Sequence, residues 1–450
     1  MDPAFHVAAL AFPFGTHAAP LLSLVRRLAE AAPNVTFSFL STATSNATIF
    51  SGSKSEPNNR IKPFDVSDGV PKDYVFSGFR QEGINLFLSA ASTSFSEAIT
   101  AAEKETGIKV SCLITDAFLW FSADLAAEIG VPWVPYWTAA ACALSTHFRT
   151  DLIRERIGKE VGNVEEPLKF IPGMSKVKID DLQEGILSGD LTSPFAELLR
   201  KMGLKLPKAA AVVVNSFEEL EPDVTLDLKS NLKKFLCVGP ANLIQPIANL
   251  SDESGCLQWL DGFGPESVSY VAFGSVAMLS PEEILALAEA LEETQFPFLW
   301  SIKDEAKRLL PNGFLERTKG KGKLVAWAPQ VQVLNHASVG AFLTHCGWNS
   351  ISEGIVGGVP LICRPFFGDQ NLNSRMVESV WEIGLKIPTG KITKGGAVAA
   401  LKRVLSSEDG VQMRENARRL REEAIKAVEP DGSSIANFKS LVEIITNNDN

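Results

Sequence analysis

Ala341-Phe342-Leu343-Thr344-His345-Cys346-Gly347-Trp348-Asn349-Ser350-Ile351 runs from an apolar strand, through a glycine turn, into a segment of helical character that reaches Val356. A strand that feeds a helix at once is half of a crossover unit, and the same alternation recurs along the chain. Short β-rich runs are predicted on either side at Ser267 to Phe273, Phe298 to Ile302, Leu324 to Ala326 and Pro360 to Cys363. An earlier series lies at His6 to Phe12, Thr36 to Leu40, Ser111 to Thr115, Trp133 to Trp137 and Ala211 to Asn215, with helical stretches such as Pro20 to Glu30 and Ala123 to Glu128 between strands. Two parallel α/β sheets follow from this pattern.

A chain of 450 residues exceeds one ordinary core, so two domains are expected. Val238 to Ser254, rich in Asn, Pro, Asp and Ser, reads as the connection. The expected limits are a first domain over 1–240, a linker over 241–255 and a second domain over 256–428. A final helix in 429–450, Ser433 to Thr446, should pack back towards the first domain. Ligands of such sheets bind beyond the carboxyl ends of the strands, so the residues after strands carry the chemistry.

The totals exclude several classes. Apolar residues make up 45% and charged residues 21%, the balance of a globular protein. A net charge of -10 and a pI near 5.2, with no dense cluster among the Lys and Arg residues, argue against a nucleic-acid surface. The start of the chain lacks a basic signal-peptide region, and no apolar run reaches a membrane span of roughly 18 residues. Six scattered cysteines without a Cys-x-x-Cys pair fit reduced thiols in the cytoplasm, where the sequons at Asn34, Asn46 and Asn249 stay unused.

Within the opening stretch, Gly347 permits a tight turn, and a helix starting there aims unpaired N–H groups at an anion. His345, Asn349 and Ser350 add donors, a cradle suited to a diphosphate. On the hexapeptide alone, a plain strand-to-helix turn with Asn and Ser as caps remains open. Competing motifs are absent: no Gly-x-Gly-x-x-Gly follows a strand, Gly384 to Lys391 misses the P-loop spacing by one residue, and no Asp-x-Asp occurs.

The wider segment resolves the alternatives. Trp327-Ala328-Pro329-Gln330 through Phe366-Phe367-Gly368-Asp369-Gln370 spans 44 residues and includes His336, Glu353, Gly354, Gly358 and Pro360. It resembles, end to end, the signature box of plant family 1 glycosyltransferases. That resemblance implies a GT-B fold, two Rossmann-like domains facing a central cleft, and transfer from a UDP-sugar. It implies Trp327 stacked on uracil, Ala328 at the base, Glu353 at the ribose hydroxyls, and His345, Asn349 and Ser350 at the diphosphate. Trp348, Asp369 and Gln370 are expected at the sugar, with Gln370 favouring glucose. Ser275 and Ser301 match positions near the phosphates and base, and Thr138 one near the donor sugar.

His17 follows the first strand and Asp116 follows Ser111 to Thr115. An imidazole there can take a proton near neutral pH, and a carboxylate can hold its tautomer. Both match the family's catalytic His and Asp. Thr138 to Ser145, Asp181 to Gly185 and Cys363 to Phe367 further resemble the flavonoid/anthocyanidin 3-O-glucosyltransferase branch. A flat polyphenol needs apolar walls and a few polar groups. Phe12, Phe118, Trp137, Phe195 and Phe367 are candidates for the walls, and Gln81, His147 and Gln183 for the polar contacts. The expected reaction is inverting transfer of glucose from UDP-glucose to a flavonol or anthocyanidin 3-hydroxyl. No metal and no permanently bound cofactor are expected, and the chain is expected to act as a monomer. The alternatives are action on other phenolics or hormones, or a non-catalytic sugar-nucleotide binding protein.

Overall fold

The computed structural model describes residues 5–51, 60–78, 81–158, 167–244, 252–274 and 278–447. The chain divides into two compact units, one of Met1–Glu160, Glu184–Ala241 and Pro430–Asn450, the other of Val161–Gln183 and Asn242–Glu429.

The first unit holds a seven-stranded sheet of β1 (Phe5–Leu10), β2 (Val35–Thr42), β3 (Ile61–Val66), β4 (Cys112–Asp116), β5 (Trp133–Trp137), β6 (Val212–Val214) and β7 (Phe235–Cys237), in the order β3-β2-β1-β4-β5-β6-β7. Every pairing is parallel. A parallel sheet is covered on both faces, and that is why β1 and β2 are buried at every position instead of alternating. The second unit repeats the plan with β8 (Val268–Ala272), β9 (Phe298–Ser301), β10 (Gly322–Val325), β11 (Val339–Thr344), β12 (Leu361–Cys363) and β13 (Gly384–Lys386), in the order β10-β9-β8-β11-β12-β13. In each sheet the order reverses between the first and fourth strand of the unit. Beside β1 and β4, and again beside β8 and β11, the crossovers diverge and leave a crevice at the strand ends.

The helix Ala18–Ala31 turns Leu21, Leu22, Val25 and Leu28 onto the first core. Ser433–Thr446 joins that same core through Phe438, Leu441 and Ile445, whose three- and four-residue spacing puts them on one helix face. Burying each of these side chains contributes about 1.5–3 kcal/mol. Asn437 Nδ2 donates to the Cys237 carbonyl at 3.1 Å, which fixes the helix beside β7.

Three strands escape the sequence reading: β3, β7 and β13. All three lie at sheet edges. β3 contains Lys62, Pro63 and Asp65, tolerable only where one side of the ladder is free, and the other two are three residues long. Residues 161–183, expected in the first domain, belong to the second unit. The reason is local: Asp181 accepts from Arg375 Nε at 2.7 Å, and Lys176 Nζ donates to the Ser379 carbonyl at 2.6 Å. After β13 the chain forms two helices, Lys394–Ser406 and Glu408–Ala427, separated at Ser407, whose hydroxyl caps the second.

Candidate active site

β1 ends at Leu10, and Gly15, at φ +63°, turns the chain so that His17 precedes the first helix. Asp116 is the last residue of β4. Because β1 and β4 are neighbours in the sheet, their carboxyl ends lie side by side, and His17 Nδ1 comes 2.8 Å from Asp116 Oδ2. Asp116 is 1% exposed, and its other oxygen accepts the Phe118 N–H at 2.9 Å. A carboxylate only accepts, so the Nδ1 proton points at Asp116 and the lone pair resides on Nε2. That is the tautomer of a general base. Thr138 Oγ1 lies 3.5 Å from the same Nδ1, just past the end of β5.

Aromatic rings surround this pair. Phe118 lies 4.4 Å and Phe12 5.3 Å from the His17 ring, centroid to centroid. Phe118 also meets Trp137 at 5.8 Å and Phe195 at 5.7 Å, and Trp137 meets the buried His147 at 5.8 Å. Five of the predicted acceptor residues are thus brought together. Gln81 stands immediately before the helix Glu82–Thr106, while Gln183 and Phe367 belong to the second unit. Phe14 and Phe87, which the sequence reading misses, complete it: Phe12 meets them at 5.3 and 5.8 Å. Phe14 had a signal, two residues from Phe12; Phe87 had none.

In the second unit, His345 follows β11 and sits between two glycines. A Cβ on Gly274 would come 2.9 Å from His345 Cε1, and one on Gly347 would come 2.5 Å from Nε2, so only glycine fits at either position. Burial lowers the His345 pKa to about 4, so the ring is neutral at pH 7. Its Nδ1 is buried without a hydrogen-bond partner among the described residues. The helix Trp348–Gly357 starts at Gly347, which as a glycine supplies no side-chain cap to its first N–H groups.

Trp327 is 51% exposed, an indole face in water, whereas Ala328 is buried. Ser301 ends β9 in register with Val325, two residues before Trp327. Ser350 and Glu353, one turn apart on a single helix face, both accept from Gln330 Nε2, at 3.1 and 2.6 Å. Tyr270 OH donates to Gln330 Oε1 at 3.1 Å, fixing that amide. Burial raises the Glu353 carboxyl, and the Gln330 hydrogen bond opposes the shift. Asn349 is partly exposed at the start of the helix. Trp348 packs at 6.4 Å from Trp381.

Asp369 precedes the helix Gln370–Arg375, and its Oδ2 accepts from Asn373 Nδ2 at 2.9 Å. The same Asn373 amide donates to the Cys346 carbonyl at 3.0 Å, tying the Asp369 turn to the glycine turn. Cys346 has φ +65°, a left-handed conformation costly for a side chain, and Asn373 helps hold it there. Gln330 and Asn373 are the organising residues that the list of candidates lacked. Ser275 lies outside the described residues.

Known proteins resemble this chain along nearly its whole length. Residues 242–426 match the family described as UDP-glucoronosyl and UDP-glucosyl transferase. An anthocyanidin 3-O-glucosyltransferase of Vitis vinifera is 56% identical over 98% of this chain and 97% of its own length. An anthocyanidin 3-O-galactosyltransferase of Actinidia chinensis is 53% identical, with 98% and 97% covered. A crystal structure of a UDP-glucose:anthocyanidin 3-O-glucosyltransferase in complex with UDP superposes with a TM-score of 0.93 at 42% identity, over 99% of each chain.

Proposed function

This chain belongs to the UDP-glucoronosyl and UDP-glucosyl transferase family and is a UDP-dependent glycosyltransferase of GT-B fold class, and from that premise we propose that it glucosylates the 3-hydroxyl of a flavonol or anthocyanidin from UDP-glucose. The observation that carries the reading is the His17–Asp116 pair at 2.8 Å inside a wall of aromatic rings.

Phe12, Phe118, Trp137 and Phe195 hold the flat acceptor, with Gln81, His147, Gln183 and Phe367 as further contacts. Nε2 of His17 takes the proton of the attacking hydroxyl, and Asp116 stabilises the imidazolium that forms. The freed oxygen bonds to the anomeric carbon as the bond from that carbon to the β-phosphate oxygen breaks. One displacement inverts the centre, so an α-linked donor gives a β-glucoside.

On the donor, Trp327 stacks on uracil, Ala328 meets its edge, and Glu353 accepts from the ribose hydroxyls. Ser275 and Ser301 are the residues we assign to the base and phosphate side. The unpartnered Nδ1 of His345, with the uncapped helix start, Asn349 and Ser350, suits the diphosphate oxygens. Trp348, Asp369, Gln370 and Thr138 face the sugar. Relatives named for glucose and for galactose transfer are 56% and 53% identical to this chain, so overall identity does not separate the two sugars, and Gln370 is the residue we assign to glucose.

No described helix is long and apolar enough to cross a membrane, and the six cysteines, all buried, form no disulfide. We place the reaction in the cytoplasm, carried out by a monomer without a metal. Incubation with UDP-glucose and a flavonol or anthocyanidin should yield the 3-O-β-glucoside and stoichiometric UDP. Absence of that product, or full activity in His17→Ala, overturns the reading.

A further inference from the structure

Arg364 and Glu283 form a buried charge pair that neither the base nor the diphosphate cradle uses. Arg364 is the first residue after β12, and Glu283 lies in the first turn of the helix Pro281–Thr294; they are 8% and 4% exposed. The guanidinium grips the carboxylate bidentately, Nε to Oε1 at 2.8 Å and Nη2 to Oε2 at 2.9 Å. The carboxylate is fixed in turn by the N–H groups of Ile392 at 2.9 Å and Ser280 at 3.3 Å. A buried pair of this kind adds little net stability, because desolvating both charges offsets their attraction. Its use here is geometric.

The third guanidinium nitrogen, Nη1, donates to the Pro365 carbonyl at 2.7 Å, and the guanidinium lies over the Phe366 ring, 3.7 Å from its centroid. That carbonyl belongs to the same peptide unit as the Phe366 N–H, which donates to Gln370 Oε1 at 2.8 Å. The Phe367 N–H donates to the same oxygen at 3.3 Å. Arg364 thus holds one end of a rigid peptide plane whose other end holds the carboxamide of Gln370. With Oε1 engaged by two backbone donors, turning the amide over would set its NH2 against both N–H groups. The Nε2 end is what Gln370 can offer a ligand.

We propose that Arg364, anchored by Glu283, is a positioning residue for donor-sugar choice: it fixes the Pro365–Phe366 peptide so that Gln370 presents an N–H donor, not a carbonyl, to the sugar. The proposal rests on the assignment of Gln370 to the sugar made above. Glucose and galactose differ only in the configuration at C4, so a single donor in a fixed place separates them, and a loosened one does not.

The test is calorimetric binding of UDP, UDP-glucose and UDP-galactose to the full chain and to Arg364→Met and Phe366→Leu, so the result does not depend on turnover. Both variants should lose about tenfold of the preference for UDP-glucose over UDP-galactose, the worth of one ordinary hydrogen bond, while UDP affinity stays within about twofold. Arg364→Lys, which keeps the charge but not the fork, should fall between. If Arg364→Met does not fold, Phe366→Leu, which removes only the ring beneath the guanidinium, decides. A folded variant with unchanged sugar preference overturns the proposal, even if its melting temperature falls. A wild-type protein that binds both sugars equally overturns the assignment of Gln370 instead.

Discussion

Asp116→Asn isolates the electrostatic part of the proposed base. The substitution is nearly isosteric, and Phe118 N–H, now 2.9 Å from Oδ1, retains an acceptor in the amide oxygen. The amide NH2 then faces His17 Nδ1 where a carboxylate oxygen stood at 2.8 Å. Two losses follow. The imidazolium formed in the transition state no longer meets a negative charge. With charge centres about 4 Å apart and an effective dielectric near 20, that attraction is about 4 kcal/mol. The His17 side chain is 20% exposed, so water screens some of it, and about 3 kcal/mol remains, roughly a hundredfold in kcat. The NH2 also favours the tautomer with the proton on Nε2, which removes the base, and this adds roughly another tenfold or more.

The assay is initial-rate UDP release and glucoside formation with saturating flavonol. kcat should fall about a thousandfold to ten-thousandfold. The KM for UDP-glucose should stay near wild type, because every residue proposed for the donor except Thr138 lies on the other unit. A change confined to the donor KM, or a kcat within about tenfold of wild type, refutes the reasoning. An unaltered melting temperature separates this from loss of fold.

Two further outcomes are expected. The His345 pKa is depressed by burial to about 4 from 6.5, so the unfolded chain binds a proton that the folded chain refuses between these values. The contribution of His345 to stability is therefore complete above pH 6.5 and is lost as pH falls towards 4, by at most about 3 kcal/mol. The melting temperature of wild type should fall relative to that of His345→Gln as pH falls through that window, and parallel curves would contradict the assignment. Trp327→Ala, at a half-exposed ring, should leave the melting temperature nearly unchanged but weaken UDP binding about tenfold or more, since stacking on a base contributes about 1–3 kcal/mol. Unchanged UDP affinity by calorimetry would remove Trp327 from the base site.

The residues proposed for the donor and for the acceptor differ in how far sequence reveals them, and the reason is geometric. The second unit's sheet reverses its order at β8 and β11, so the turn after β11 alone supplies His345, Gly347, Asn349 and Ser350, and the helix it starts supplies Glu353. Residues that act together are close in sequence, and their spacing survives as a readable string. Even there, the string omits what holds it: Gln330 orients Ser350 and Glu353 from 20 and 23 residues away, and Asn373 clamps Cys346 from 27. The aromatic wall has no string at all. Phe12, Phe87, Phe118, Trp137 and Phe195 come from five separate segments, each an apolar residue beside a core strand or on a helix, and each in isolation indistinguishable from packing. Edge strands are lost for a related reason. β3 keeps Pro63 because its outer side has no partner strand among the described residues, and the shortness of β7 and β13 removes the periodicity that identifies a strand. Local pattern records constraints that act along the chain. The aromatic wall is built across the sheet, from residues whose only shared property is the surface they form once β1, β4 and β5 lie in register, so the pocket proposed for the acceptor emerges with the tertiary fold and not before it.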